Sequence, residues 1–111
     1  MATQRINPKQ QNNSMSSQTN SGTAGGTMKY VNLGGVKILT LNVSVATQNT
    51  YTVIYPTGLF SSTPSIALGP TGSAGTTNGM YIVLGTADAN GFSFYSGFNA
   101  QAPTNLIVIG T

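Results

Sequence analysis

An all-β fold, a small antiparallel β-sandwich of about six strands behind an extended N-terminal arm, follows from three features of this chain. Short runs rich in Val, Ile, Thr, Tyr and Phe recur along residues 29–111, each bounded by Gly, Pro or Asn. In the longest run, apolar residues alternate at Leu39, Leu41, Val43 and Val45, the period of a strand buried on one face. No segment carries the i, i+3, i+4 apolar spacing of an amphipathic helix over a comparable length.

The first predicted strand spans Val36 to Val45, where Ile38 beside Leu39 breaks the alternation and predicts a bulge or bend. Tyr51 to Tyr55 is the second, stopped by Pro56, and Ser65 to Leu68 is the third, held between Pro64 and Gly69-Pro70. Met80 to Thr86, Phe92 to Tyr95 and Leu106 to Ile109 complete the set. Asn90-Gly91 separates two of these runs, and that dipeptide favours the left-handed φ values of a type I′ hairpin turn. The glycine-rich stretch from Gly69 to Gly79 has neither the Lys-Ser/Thr pair nor the following helix of a phosphate-binding loop, and reads as a loop at one end of the sandwich.

Residues 1–28 read differently, as a low-complexity polar arm of Gln, Asn, Ser, Thr and Gly. Almost nothing in them can be buried to offset backbone ordering, which costs about 1–2 kcal/mol per residue. Order in this arm is therefore expected to come from a partner chain. Its cations Arg5 and Lys9 make it the expected assembly arm, one that docks on a partner protein.

Charge is the second informative feature. Only 5% of residues are charged, against about 25% in ordinary soluble domains. From Ile38 to Thr111 the single charged side chain is Asp88, and the chain has no His, Cys, Trp or Glu. The net charge of +3 comes from four scattered cations at or before Lys37, not from the clustered basic face that nucleic acid requires. A Ser or Thr nucleophile has no imidazole or Glu to activate it, and a two-carboxylate glycosidase is excluded by the single acid. Asp88, two residues before Asn90-Gly91, is placed to cap a turn with its own carboxylate. No metal or organic cofactor is expected, because one carboxylate cannot build a cation cage. The residues argue for a surface that binds or assembles, and against an enzyme. Met1 to Asn20 is polar throughout, so no secretory leader is expected. No apolar run approaches the ~18–20 residues of a membrane span, and membrane insertion is not expected.

Aromatic residues mark the candidate site. Tyr81, Phe92, Phe94, Tyr95 and Phe98 cluster around the last hairpin, with Phe92 and Phe94 on one face as core and Tyr95 on the other. Phe98, Asn99 and Gln101 put one ring and two amides into the following loop. Rings stack on the C–H faces of sugars while amides and hydroxyls take their OH groups, so Tyr95, Phe98, Asn99 and Gln101 are candidate ligands for a neutral glycan. The same rings would equally serve to pack against a neighbouring strand or subunit.

The order of these blocks resembles phage tail-fibre tip domains. Tyr30-Val31-Asn32-Leu33-Gly34-Gly35-Val36-Lys37-Ile38 is similar to their opening "k-L-p-n-G-l-i" stretch. Tyr55-Pro56-Thr57-Gly58-Leu59-Phe60-Ser61-Ser62-Thr63-Pro64 resembles their "F-P-x-x-F-x-x-x-P" element. Gly91-Phe92-Ser93-Phe94 is similar to the "t-x-x-G-F-x-v" hairpin, and Leu106-Ile107-Val108-Ile109-Gly110 to the closing "W-i-A-I-G", with Leu106 where the Trp is usual. The resemblance covers residues 30–111. It implies a β-sandwich of the H-type lectin kind, homotrimeric, on a bacteriophage virion and binding a host-surface glycan or protein. Trimerisation would suit so small a body, which alone buries only about 60–65% of its unfolded surface. Three functions stay open on the sequence: a short fibre or spike for host attachment, a head fibre or capsid decoration protein with a purely structural role, and a soluble lectin.

Overall fold

The computed structural model describes residues 14–45, 48–71, 79–98 and 101–111. Within them the chain is all-β, with eight strands and no helix. The strands are β1 (Ser16–Thr19), β2 (Thr27–Leu33), β3 (Val36–Val45), β4 (Asn49–Ile54), β5 (Ser65–Pro70), β6 (Met80–Ile82), β7 (Gly91–Ser96) and β8 (Ala102–Gly110). All neighbours pair antiparallel, in a five-stranded sheet of order β1-β2-β3-β8-β5 and a three-stranded sheet of order β4-β7-β6.

The two sheets form a sandwich because each strand gives one face to a shared core. From the larger sheet come Met28, Leu39, Leu41, Val43, Val45, Leu106 and Val108, and from the smaller Val53, Phe92 and Phe94, all buried. The alternation along β3 is therefore the one its sequence declares. The phase break at Ile38 is not a bulge, since Tyr30↔Leu39 and Val31↔Ile38 are consecutive rungs of an uninterrupted ladder. Ile38 simply points to the outer face of the larger sheet, where other apolar residues accompany it.

One strand, β1, and the first two residues of another, β2, come from the stretch whose composition reads as an arm. Residues 16–19 pair with 27–30, so the sheet begins well before residue 29. The reason is a polar anchor within the chain itself. Asn20, only 3% exposed, uses its side chain in place of a strand. Its Oδ1 accepts from the N–H of Gly22 (3.0 Å) and of Ile54 (2.9 Å), and its Nδ2 donates to the carbonyls of Gly25 (3.0 Å) and Thr52 (3.3 Å). Thr23 joins it, its Oγ1 accepting from the Thr52 N–H at 2.9 Å while the Ala24 N–H donates to the Thr52 carbonyl at 3.1 Å. Residues 20–24 thus occupy the open edge of β4, and one segment ties the larger sheet to the smaller. Gly22 is required there, because a Cβ would collide with the Thr52 carbonyl.

The turns follow from local chemistry. Gly34 (φ 64°) and Gly35 (φ 98°) supply the two left-handed residues of the tight β2–β3 hairpin. Asn32 Oδ1 accepts the Gly35 N–H at 2.8 Å. The type I′ turn expected at Asn90-Gly91 is absent, since no non-glycine residue has positive φ among the described residues. Residues 83–90 instead make a longer connection between β6 and β7. At its end, Asp88 Oδ1 accepts the N–H groups of Asn90 (2.7 Å) and Gly91 (3.2 Å). Asp88 is the turn cap that its position predicted.

Residues 55–64 close one end of the sandwich with buried Tyr55, Phe60 and Pro64. The Tyr55 ring meets Phe60 edge-on at 5.0 Å and Phe92 at 6.1 Å. Its hydroxyl finds no hydrogen-bond partner among the described residues. Burial, with the negative charge of Asp88 adding, pushes the phenol above its ordinary pKa. An unpaired buried hydroxyl costs about 1–3 kcal/mol. Tyr55→Phe keeps both ring contacts and is expected to raise stability by about 1 kcal/mol in a denaturant titration. Because the folded pKa is raised, the wild-type loses stability as pH climbs above 10.0, where the unfolded chain ionises Tyr55 freely. The variant is expected to lose that part of the alkaline slope.

Candidate functional site

The outer face of the three-stranded sheet carries a two-ring platform. On an antiparallel pair, residues directly opposite share a face, and β6 and β7 place Tyr81 opposite Tyr95. The rings stack with centroids 5.4 Å apart and planes 28° apart. The other ring pairs among the described residues, Tyr51–Phe94, Tyr55–Phe60, Tyr55–Phe92 and Phe92–Phe94, contribute to the core. Tyr81 is 58% exposed and Tyr95 half-buried beneath its neighbours. Thr50 of β4 lies opposite Tyr95 on the other side, exposed, so a hydroxyl extends the row.

The strands of this face carry no charge, since none of β4, β6 and β7 contains an ionisable residue other than tyrosine, and the charge that borders them is Asp88, which lines a depression with Thr52 and Ser93. An anionic ligand would find no cation on these strands to offset its desolvation. A neutral ligand with apolar C–H faces and hydroxyl edges fits both the rings and the polar rim.

The residues expected to form the glycan site are not all gathered on this platform. Tyr95 is at its centre. Phe98 is half-buried two residues past the end of β7, its N–H donating to Ser96 Oγ at 3.3 Å. Gln101 is exposed just before β8, which belongs to the other sheet. Asn99 lies outside the described residues, as do Arg5 and Lys9 of the arm and residues 72–78 of the glycine-rich loop. Tyr81 completes the platform instead.

No protein-family model, curated protein or solved structure matches this chain.

Two other depressions offer less chemistry. One, of about 510 Å³, lies on the larger sheet over Thr27, Lys29, Thr40, Asn42, Asn105 and Ile107. Its amides satisfy each other, Asn42 Nδ2 donating to Asn105 Oδ1 at 2.6 Å, and its lining includes no ring to stack on a ligand. The second, about 330 Å³, contains Asp88, Thr86 and Ser93. There the Thr86 hydroxyl donates to the Val83 carbonyl at 2.8 Å and accepts the Ser93 N–H at 3.0 Å, while Asp88 Oδ1 is held by its own turn. Each of these groups serves the backbone around it.

Proposed function

We propose that this chain is a non-enzymatic bacteriophage virion protein, a short homotrimeric fibre or spike attached through its N-terminal residues and presenting the β-sandwich for host-surface attachment. The observation that carries the binding role is the exposed Tyr81–Tyr95 stack on strands without a charged side chain. The ligand it supports is a neutral surface glycan. The blockwise resemblance of residues 30–111 to tail-fibre tips supplies the virion context, and the β-sandwich agrees with it. Arg5 and Lys9, away from the platform in sequence, suit a separate attachment role.

The test is titration with a panel of neutral and anionic oligosaccharides, read by tyrosine emission, which no tryptophan obscures in this chain. Binding confined to neutral members is expected, with Tyr81→Ala weakening it at least about tenfold, near 1.4 kcal/mol. Because Tyr81 is largely exposed, melting of that variant should change by less than about 1 kcal/mol. Equal binding by Tyr81→Ala, or none by the wild-type at millimolar sugar, rejects the receptor role. Absence of the chain from purified particles rejects the virion assignment. A head-fibre or capsid decoration role draws on a different observation, the exposed apolar rows on the outer face of the larger sheet.

A further inference from the structure

Those rows are the least expected surface of the molecule. An outward sheet face normally alternates to polar residues. Here Val31, Ile38 and Ile109 occupy one cross-strand row, and Ile107 and Ala67 the next. Ile107 and Ile109 are 45% and 44% exposed, and Leu33 and Val36 extend the patch at 45% and 43%. Between β5 and β8 the surface dips into an apolar hollow of about 130 Å³ lined by Ser65, Ile66, Ala67, Ile107 and Ile109.

The same chain carries a projection that suits the hollow. Leu84 is 98% exposed, at the second position of a turn closed by the Thr86 N–H donating to the Val83 carbonyl at 3.2 Å. Gly85 (φ 80°) gives that turn its left-handed third residue. The Thr86 hydroxyl pins it further, donating to the Val83 carbonyl and accepting the Ser93 N–H. The leucine is thus held out on a fixed support and buries nothing in its own molecule. A lone exposed leucine would mean little. Charge gives the second argument: Asp88, the only acid in the chain, lies four residues after Leu84 and is exposed. Lys29 shares a row with Thr40 and Ile107 on the apolar face.

We propose that copies of this chain associate head to tail, the Leu84 turn of one copy seating in the Ile107–Ile109 hollow of the next, with Asp88 approaching Lys29. A contact between two different patches of one chain repeats until rotation closes a ring. Closure after three copies gives the trimer of the preceding reading. The contact itself depends neither on that number nor on the glycan.

The test is the mass of the full chain in solution across the micromolar range, by light scattering and sedimentation. Wild-type is expected to associate. Leu84→Ser, on a fully exposed turn, should shift the association midpoint at least about tenfold upward in concentration. Ile107→Lys should do the same, and Ala67→Lys, at an exposed position, serves if Ile107→Lys melts early. A mixture of L84S and I107K is expected to form one-to-one pairs and nothing larger, because each copy retains the half that the other lacks. A wild-type chain that stays monomeric overturns the proposal, since the face then awaits an unlike partner. So does L84S associating like wild-type while I107K does not, which is face-to-face pairing. Sugar binding at Tyr81 is scored separately, so either reading can fail alone.

Discussion

Asn20→Ala is expected to destabilise the protein by about 2–4 kcal/mol, far more than an exposed-looking asparagine in a polar stretch would normally cost. The amide makes four hydrogen bonds, and losing it leaves the Ile54 N–H, the Gly22 N–H and the Gly25 carbonyl without their partners. Each unpaired buried polar group costs about 1–3 kcal/mol. The sum stays below the arithmetic maximum because residues 20–24 can lift and let water reach the edge of β4. That same lifting gives the local signature. Amide exchange of Thr52 and Ile54 should accelerate well beyond that of Leu106 and Val108, which lie on an interior strand of the other sheet. Asn20→Asp keeps the acceptor but replaces the donor with a charge facing two carbonyls, and is expected to be no better than alanine. If both variants melt with the wild-type, β1 and residues 20–24 are not integral to the sandwich.

Asn20 also shows why part of this fold could not be read in advance. Hydrophobic period is what makes a strand visible, and β3 displays it at Leu39, Leu41, Val43 and Val45. The residues of β1, Ser16–Thr19, are all exposed, and they form a strand only because β2 offers a backbone edge beside them. A polar residue acting through four hydrogen bonds leaves no pattern, so residues 16–19 and 27–28 read as arm by composition although they belong to the sheet. In β8 the difficulty is reversed. Leu106 to Ile109 is a continuous apolar run in which only Leu106 and Val108 face the core, and nothing in the run says that the other two are exposed.

The tyrosine platform was half legible for a related reason. A two-residue turn at Asn90-Gly91 would set Tyr95 opposite Thr86, one strand register away from any ring. With the connection lengthened to residues 83–90, Tyr81 moves into that position. Gly91 itself lies against β4, where a Cβ would collide with the Val53 carbonyl. The glycine is there for close approach of β7 to β4, not for a hairpin turn.

Two adjacent residues of β7 are expected to separate folding from binding. Phe94→Ala should cost about 3–5 kcal/mol, the largest loss for any single truncation of the core. Phe94 is fully buried, lies between Tyr51 on β4 and Ile82 on β6, and has the rings of Tyr51 and Phe92 at 5.8 Å and 6.1 Å. Its strand is the middle one of three, so the cavity would be walled by both neighbours and could not collapse from one side. Against a total stability of about 5–15 kcal/mol, the variant is expected to populate unfolded chain at body temperature. Tyr95→Ala removes the next side chain along, on the opposite face, together with one aromatic pair worth about 0.5–1.5 kcal/mol. It should leave a folded, cooperative domain that has lost its sugar. Denaturation midpoints and the oligosaccharide titration, measured on both variants, check the contrast. If Tyr95→Ala unfolds the protein as Phe94→Ala does, the outer ring pair is a structural brace. If it stays folded and still binds, the ligand site lies elsewhere on the sandwich.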